Sequence, residues 1–152
     1  MLLGLESEGD VKFLTRKSTK LEPDGKDLTK IQEFMEKEVL PVGVDGEVLS
    51  RATKALTEYY QKATRAKLAK GTIETMAIID NNSIDISIRY EGEVLPFPLE
   101  EPKNEDESKV ENYNLSRSGF CIRQLTDRLR WEQRAGSSRI HFYFFLRPQA
   151  SK

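Results

Sequence analysis

The chain has one cysteine, one histidine and one tryptophan in 152 residues. With Cys121 alone, no intrachain disulfide can close and a thiolate-rich metal site is excluded. Such sparing use of cysteine suits a reducing cytoplasm. With His141 alone, no histidine pair exists to bind zinc or relay a proton. Long apolar runs are missing as well. The longest, Phe142 to Leu146, is far short of the roughly 20 residues a membrane helix needs. The opening stretch MLLGLESEGD carries acids and no basic cluster, unlike a secretory leader. Charge of one sign is also lacking. The 24 basic and 25 acidic residues give a formal net charge of −1, so no whole-protein field attracts nucleic acid or an anionic membrane. What remains is 38% hydrophobic and 32% charged residues, enough for one core and too apolar for a disordered chain. The length fits a single domain over residues 1–152.

Periodicity supplies the elements. Val11 to Ser18 alternates in part and reads as a first strand. Asp24 to Leu40 reads as a helix, with Asp24 or Asp27 as its cap. Ile31, Phe34, Met35 and Val39 line one face, and Pro41 stops it. Asp45 opens a long second helix. Its stripe of Val48, Ala52, Ala55, Leu56, Tyr59, Ala63 and Ala66 recurs at helical steps, and Gly71 follows a basic last turn. Thr72 to Asp80 and Ser83 to Tyr90 read as a hairpin. Asn81-Asn82 is its turn, since asparagine tolerates positive φ. Ile84, Ile86 and Ile88 share one face of the second strand, and Asp85, Ser87 and Arg89 share the other.

Residues 91–115 hold Pro96, Pro98, Pro102 and the acidic run EEPKNEDESKVE, which suggests an irregular, lid-like loop. Ser116 to Arg128 reads as a third helix with Phe120, Cys121, Ile122 and Leu125 inward. Leu129 to Gln133 and Arg139 to Leu146 read as closing strands around Ala135-Gly136-Ser137-Ser138. No internal repeat is present. The order strand, helix, helix, two strands, lid, helix, two strands predicts an α+β fold. Its form is a two-layer sandwich, a mostly antiparallel sheet with helices on one face.

The segment SRSGFCIRQLTDRLRWEQRAGSSRIHFYFFL resembles the closing part of the anti-sigma-factor serine kinases, in the histidine-kinase-like (Bergerat or GHKL) ATPase superfamily. There a glycine-rich turn opens a helix, the helix runs into IRQL-x-D, and a hairpin ends the domain. Upstream, LSRATKALTEYYQKATRAKL resembles the family's helix with its Glu-x-x-x-Asn box. ISIRYEGEVLPFP resembles the strand and turn of the Asp-x-Gly box. The match runs in element order over roughly residues 10–147. It implies the Bergerat-type ATPase fold, ATP and magnesium as the ligands of intact members, and a bacterial, cytoplasmic setting. The implied protein partner is a sigma factor or an anti-anti-sigma-type domain.

Departures fall on the boxes. Glu58 stands at the catalytic glutamate's place, and Lys62 at that of the magnesium-binding asparagine. Tyr90 replaces the adenine-reading aspartate, while Gly92 is kept. Ser116, Arg117 and Ser118 stand where Gly-x-Gly is usual, with Gly119 one place late. Magnesium prefers oxygen ligands. A divalent ion and an ammonium ~4 Å apart repel by ~8 kcal/mol at an effective dielectric of ~20. Serine at a positive φ costs ~1–2 kcal/mol. These substitutions imply a regulatory protein-interaction module with weak or lost ATP binding and no metal. The alternatives are an active serine/threonine kinase using ATP, with Glu58 as base, and an unrelated α+β binding domain. A homodimer is compatible with either.

Each residue also has a plainer reading. Glu58 and Lys62 have the spacing of a helix-surface ion pair. Arg117, Arg123, Arg128 and Arg130 read as solvated charge, beside an anion- or partner-binding face. His141 reads as outward and structural, and Cys121 as core.

Overall fold

The computed structural model of the chain describes residues 14–103 and 110–146, without the side chains of residues 110 and 111. Its sheet is built from β1 (Thr15–Leu21), β2 (Ile73–Ile79), β3 (Ser83–Glu91), β4 (Arg128–Arg134) and β5 (Ser137–Phe145). The strand order is β1-β2-β3-β5-β4, and every neighbouring pair is antiparallel. Strict alternation decides the faces. Ile73, Ala77 and Ile79 of β2, Ile84, Ile86 and Ile88 of β3, and Ile140, Phe142 and Phe144 of β5 are all buried. On that face lie the helices α1 (Leu28–Phe34), α2 (Gly46–Arg65) and α3 (Val110–Leu125). The α+β two-layer form read from the sequence is the observed one, with a wholly antiparallel sheet.

Helix α2 is the centre of the helical layer. Asp45 caps it by accepting from the Val48 amide at 3.3 Å. Its buried stripe is Val48, Ala52, Ala55, Leu56, Tyr59, Tyr60, Ala63 and Thr64. The alanines let the helix lie close to the sheet. Ala66 is the C-cap and only half-buried. Gly71 does not end the helix as expected, because Lys67 already turns the chain with φ 58°.

Boundaries elsewhere moved for local reasons. The first helix begins at Leu28 with Asp27 in the N-cap position, as one of the two readings had it, but neither candidate caps it with its side chain. The Asp27 carboxylate accepts from the Glu22 amide at 2.7 Å, and Asp24 accepts from Lys26 at 3.0 Å. Tyr60 fixes this turn from the core, donating to the Glu22 carbonyl at 2.7 Å and accepting from the Asp27 amide at 3.0 Å. Past Phe34 the chain continues as a π turn, Met35–Val39, and a 3₁₀ turn, Leu40–Val42. Pro41 sits in the first turn of the latter, where no amide is needed, and Gly43 at φ 105° ends it.

At the β2–β3 turn, neither Asn81 nor Asn82 has a positive φ. The Asp80 carboxylate shapes the turn instead, accepting from the amides of Asn82 and Ser83, each at 2.8 Å. The β4–β5 turn is tighter than expected. Ala135 (φ 53°) and Gly136 (φ 81°) alone make it, and Ser137 and Ser138 belong to β5.

Candidate functional site

The space between α2, α3 and the sheet holds Tyr59 and Tyr90. Tyr59 projects from α2 and Tyr90 from β3, and their hydroxyls meet at 2.6 Å. Tyr90 donates to the Glu93 carbonyl at 2.5 Å, since a carbonyl can only accept. Tyr59 therefore donates to Tyr90 and accepts from the Leu95 amide at 3.2 Å. Leu95 N–H, Tyr59, Tyr90 and Glu93 C=O thus form one directed chain in which each hydroxyl gives once and receives once. Burial pushes Tyr59 up to about 12, against the Leu95 amide, whose hydrogen bond to the Tyr59 oxygen lowers it. Tyr90 is also pushed up, first by burial and then by Tyr59. Both phenols are neutral donors near neutral pH.

The chain fastens residues 92–97 into the core as a strap. Gly92 begins it at φ 139°. A Cβ there would stand 1.7 Å from the Leu68 carbonyl oxygen, so only glycine fits. The Gly92 carbonyl accepts from the Ser138 hydroxyl at 2.7 Å, and its amide donates to Gly136 at 2.8 Å. Leu95 and Phe97 are buried. The Phe97 ring lies 6.1 Å from Tyr59 and 4.9 Å from Trp131. Arg123 of α3 donates to the Phe97 carbonyl through Nε at 3.2 Å and a terminal nitrogen at 3.0 Å, with its guanidinium 5.6 Å above Trp131. The interval expected as an irregular lid over 91–115 is therefore divided. Its first part is packed, and residues 110–115 belong to α3. Residues 104–109, the middle of the acidic run, lie outside the described residues.

Ser116, Arg117, Ser118 and Gly119 do not form a turn that opens a helix. They lie inside α3, which begins at Val110. Their amides are in the helical ladder and face no cradle. Gly119 has another reason to be glycine. A Cβ there would stand 1.6 Å from the Pro96 carbonyl oxygen, so the missing side chain lets α3 lie directly on the strap. Ser118 is buried and donates to Glu58 Oε2 at 2.7 Å, which closes α3 against α2. Arg117 is exposed.

Glu58 is half-buried, and among the described residues its partner is Ser118, not Lys62. The expected helix-surface pair of Glu58 and Lys62 is absent among the ion pairs of the described residues. Lys62 is half-buried one turn further along α2. A groove of about 700 Å³ runs over α2 between α1 and α3, lined by Glu36, Leu49, Thr53, Glu58, Cys121 and Leu125. It takes in Glu58 but neither Lys62 nor Tyr90. Cys121 is exposed in it, which corrects the core reading, while Ile122 is the residue turned inward there. No group of three or more His, Cys, Asp and Glu able to hold a metal occurs among the described residues.

Of the four arginines read as solvated charge, with a shared anion- or partner-binding face as the alternative, Arg117, Arg128 and Arg130 are exposed, and the four do not share one face. Arg123 serves the strap, while Arg128 and Arg130 lie on the outer face of the sheet in register with Tyr143 and His141. His141 is on that outer face, as the alternation predicted, with Nδ1 3.2 Å from Asp85. Sequence reasoning missed Leu95, Phe97 and Arg123 as parts of the site. It also placed Tyr59 in the core without its bond to Tyr90. Only the Pro-Phe-Pro run hinted at a fixed, extended segment.

No helix among the described residues is long and apolar enough to cross a membrane. No protein-family profile matches the chain, and no curated protein matches it. Among solved structures it is similar to the crystal structure of the RsbU and RsbW domains of Rv1364c from Mycobacterium tuberculosis, with a TM-score of 0.61 at 13% sequence identity. The likeness covers 88% of this chain and 33% of that one, so the chain spans about a third of the length of the structure it matches. At that identity the likeness shows the fold alone. That fold is an α+β arrangement, an antiparallel sheet with helices on one face, as the sequence resemblance implied.

Proposed function

We propose that the chain is a regulatory protein-interaction module on an ATPase-type fold, with nucleotide binding weakened or lost. The observation that carries this reading is the strap. Tyr90 and Tyr59 hold Leu95 and Phe97 between the long helix and the sheet, where a nucleotide of this fold class would need open space. Three further features point the same way. The altered boxes offer no acidic oxygen at Lys62 or Tyr90. Ser116 to Gly119 are helix interior and cannot wrap a phosphate. Glu58, the one carboxylate retained, is held by Ser118. The residues present do not suit magnesium–ATP.

The resemblance of the closing segment to the anti-sigma-factor serine kinases, and the fold likeness to a chain with an RsbW domain, indicate the class of partner. It is a sigma factor or an anti-anti-sigma-type domain. The test is calorimetric titration with ATP and a non-hydrolysable analogue, with and without magnesium. No heat up to millimolar nucleotide is expected. Magnesium-dependent binding at micromolar affinity would overturn the reading. A kinase with Glu58 as base would instead transfer labelled phosphate to a serine-bearing partner domain in a manner abolished by Glu58→Ala.

A further inference from the structure

Among the described residues no helix lies on the outer face of the sheet, and strand register fixes what it displays. Three rows cross it from β1 to β4. They are Lys20-Glu74-Arg89-Arg139-Glu132, Ser18-Met76-Ser87-His141-Arg130 and Arg16-Ile78-Asp85-Tyr143-Arg128. Two polar pairs lie within them, the ion pair of Arg89 with Glu74 at 3.0 Å and the hydrogen bond between His141 and Asp85 at 3.2 Å. Arg16, Lys20, Arg128, Arg130, Arg134 and Arg139 have no acidic partner among the described residues. Of the carboxylates on this face, only Glu91 and Glu132 are likewise unpaired. A surplus of cations therefore faces outward from a chain whose net charge is −1. They surround a neutral centre in which Met76 is 37% exposed, within a hollow of about 720 Å³ that Met76, Ile78 and His141 help to line.

We propose that this sheet face docks a protein partner through an acidic surface that carries apolar side chains at its centre. Charge complementarity commits the face to that occupant. A second copy laid face to face would set the same cations against one another. A nucleic-acid backbone would meet Glu74, Asp85, Glu132 and Glu91 interleaved with the arginines, and its affinity depends on closely spaced cations. A protein surface can place each carboxylate opposite an arginine and leave Met76 and Ile78 to apolar contacts, as an apolar core with a charged rim does. The inference takes from the preceding reading only that the partner is a protein. It does not depend on loss of nucleotide.

The probe is a labelled synthetic amphipathic peptide with glutamates around a leucine stripe, against the same peptide with glutamine for every glutamate. The whole chain is titrated by fluorescence anisotropy, and the contacts are mapped by amide chemical shifts. The glutamate peptide should bind at least about tenfold more tightly than the glutamine one, and less tightly as salt rises. Shifts should centre on Met76, Ile78, His141 and Tyr143. The pair Arg130→Glu and Arg139→Glu should remove that preference, while Lys54→Glu, in the groove over α2, leaves it. The pair Arg130→Gln and Arg139→Gln covers the case in which charge reversal unfolds the sheet. Four results would overturn the proposal: equal binding of the two peptides, shifts confined to the helical layer, tighter binding of a single-stranded RNA, or a self-dimer on this face abolished by the charge reversals. Nucleotide titration of the same sample reads the preceding proposal independently, so the failure of one is distinguishable from failure of the other.

Discussion

Replacing Gly119 with alanine isolates the contact between α3 and the strap. An ideal Cβ at this position would lie 1.6 Å from the Pro96 oxygen, 2.8 Å from the Pro96 carbonyl carbon and 3.3 Å from Phe97 Cα. Real Cβ atoms do not approach closer than 3.0 Å, so the strap or the helix must retreat by at least 1.4 Å, the difference between 3.0 and 1.6. Alanine by itself favours a helix over glycine by about 1 kcal/mol, so any loss of stability reports the clash. The retreat strains the two Arg123 bonds to the Phe97 carbonyl and the Leu95–Tyr59 bond. Overpacking costs about 1–3 kcal/mol and each lost hydrogen bond about 1 kcal/mol. Net of the helix preference, Gly119→Ala should destabilise the fold by about 2–4 kcal/mol. Urea unfolding followed by far-ultraviolet circular dichroism measures the total. Emission from Trp131, which lies against Phe97, reports the strap separately and should change at lower urea than the helical signal. A Gly119→Ala protein as stable as the parent, or more so, would refute this account of the helix–strap contact.

Tyr90→Phe removes the middle of the hydroxyl chain and leaves the Glu93 carbonyl and the Tyr59 hydroxyl without their partner. A loss of about 1–3 kcal/mol is expected in urea titration, and an unchanged midpoint would count against the chain. Tyr59, raised from 10.0 to about 12, keeps in the folded state a proton that the unfolded chain releases. Stability from this group is therefore full below about pH 10 and declines as pH rises towards about 12, with Tyr90 acting in the same direction. Tyrosinate absorbance should show these two phenols ionising together with unfolding. At the β4–β5 turn, Ala135→Asn should raise the melting temperature through a gain of about 0.5–1 kcal/mol, because asparagine accepts the positive φ of 53° more readily; Ala135→Val should lower it.

Much of the framework was legible because it depends on short periods. The isoleucines of β3 and the stripe of α2 announce their faces in single windows of sequence. The start of α3 was hidden because residues such as Asn112 and Asn114 are polar, exposed and weak helix formers, so no apolar stripe marks that turn. Gly119 was read as a phosphate-turn residue because sequence shows that a Cβ is missing, not what fills the space. Here it is the Pro96 carbonyl. The Tyr59–Tyr90 bond joins positions 31 residues apart, and no local pattern encodes such a meeting. Asn81-Asn82 misled because asparagine tolerates a positive φ without requiring one. The carboxylate of Asp80 settled the turn first.

The place of β5 between β3 and β4 also governs how the sheet is completed. The strands β1, β2 and β3 can zip together as each leaves the ribosome, but β3 must wait for residues 137–145 before its second edge is covered. Through that interval the row Ile84, Ile86 and Ile88 belongs to an open edge, available to the edge of another nascent chain. Cutting the chain ahead of Ser137 would therefore split the barrier against aggregation from the inside, since it withdraws an interior strand and leaves the β4 segment with nothing to pair with.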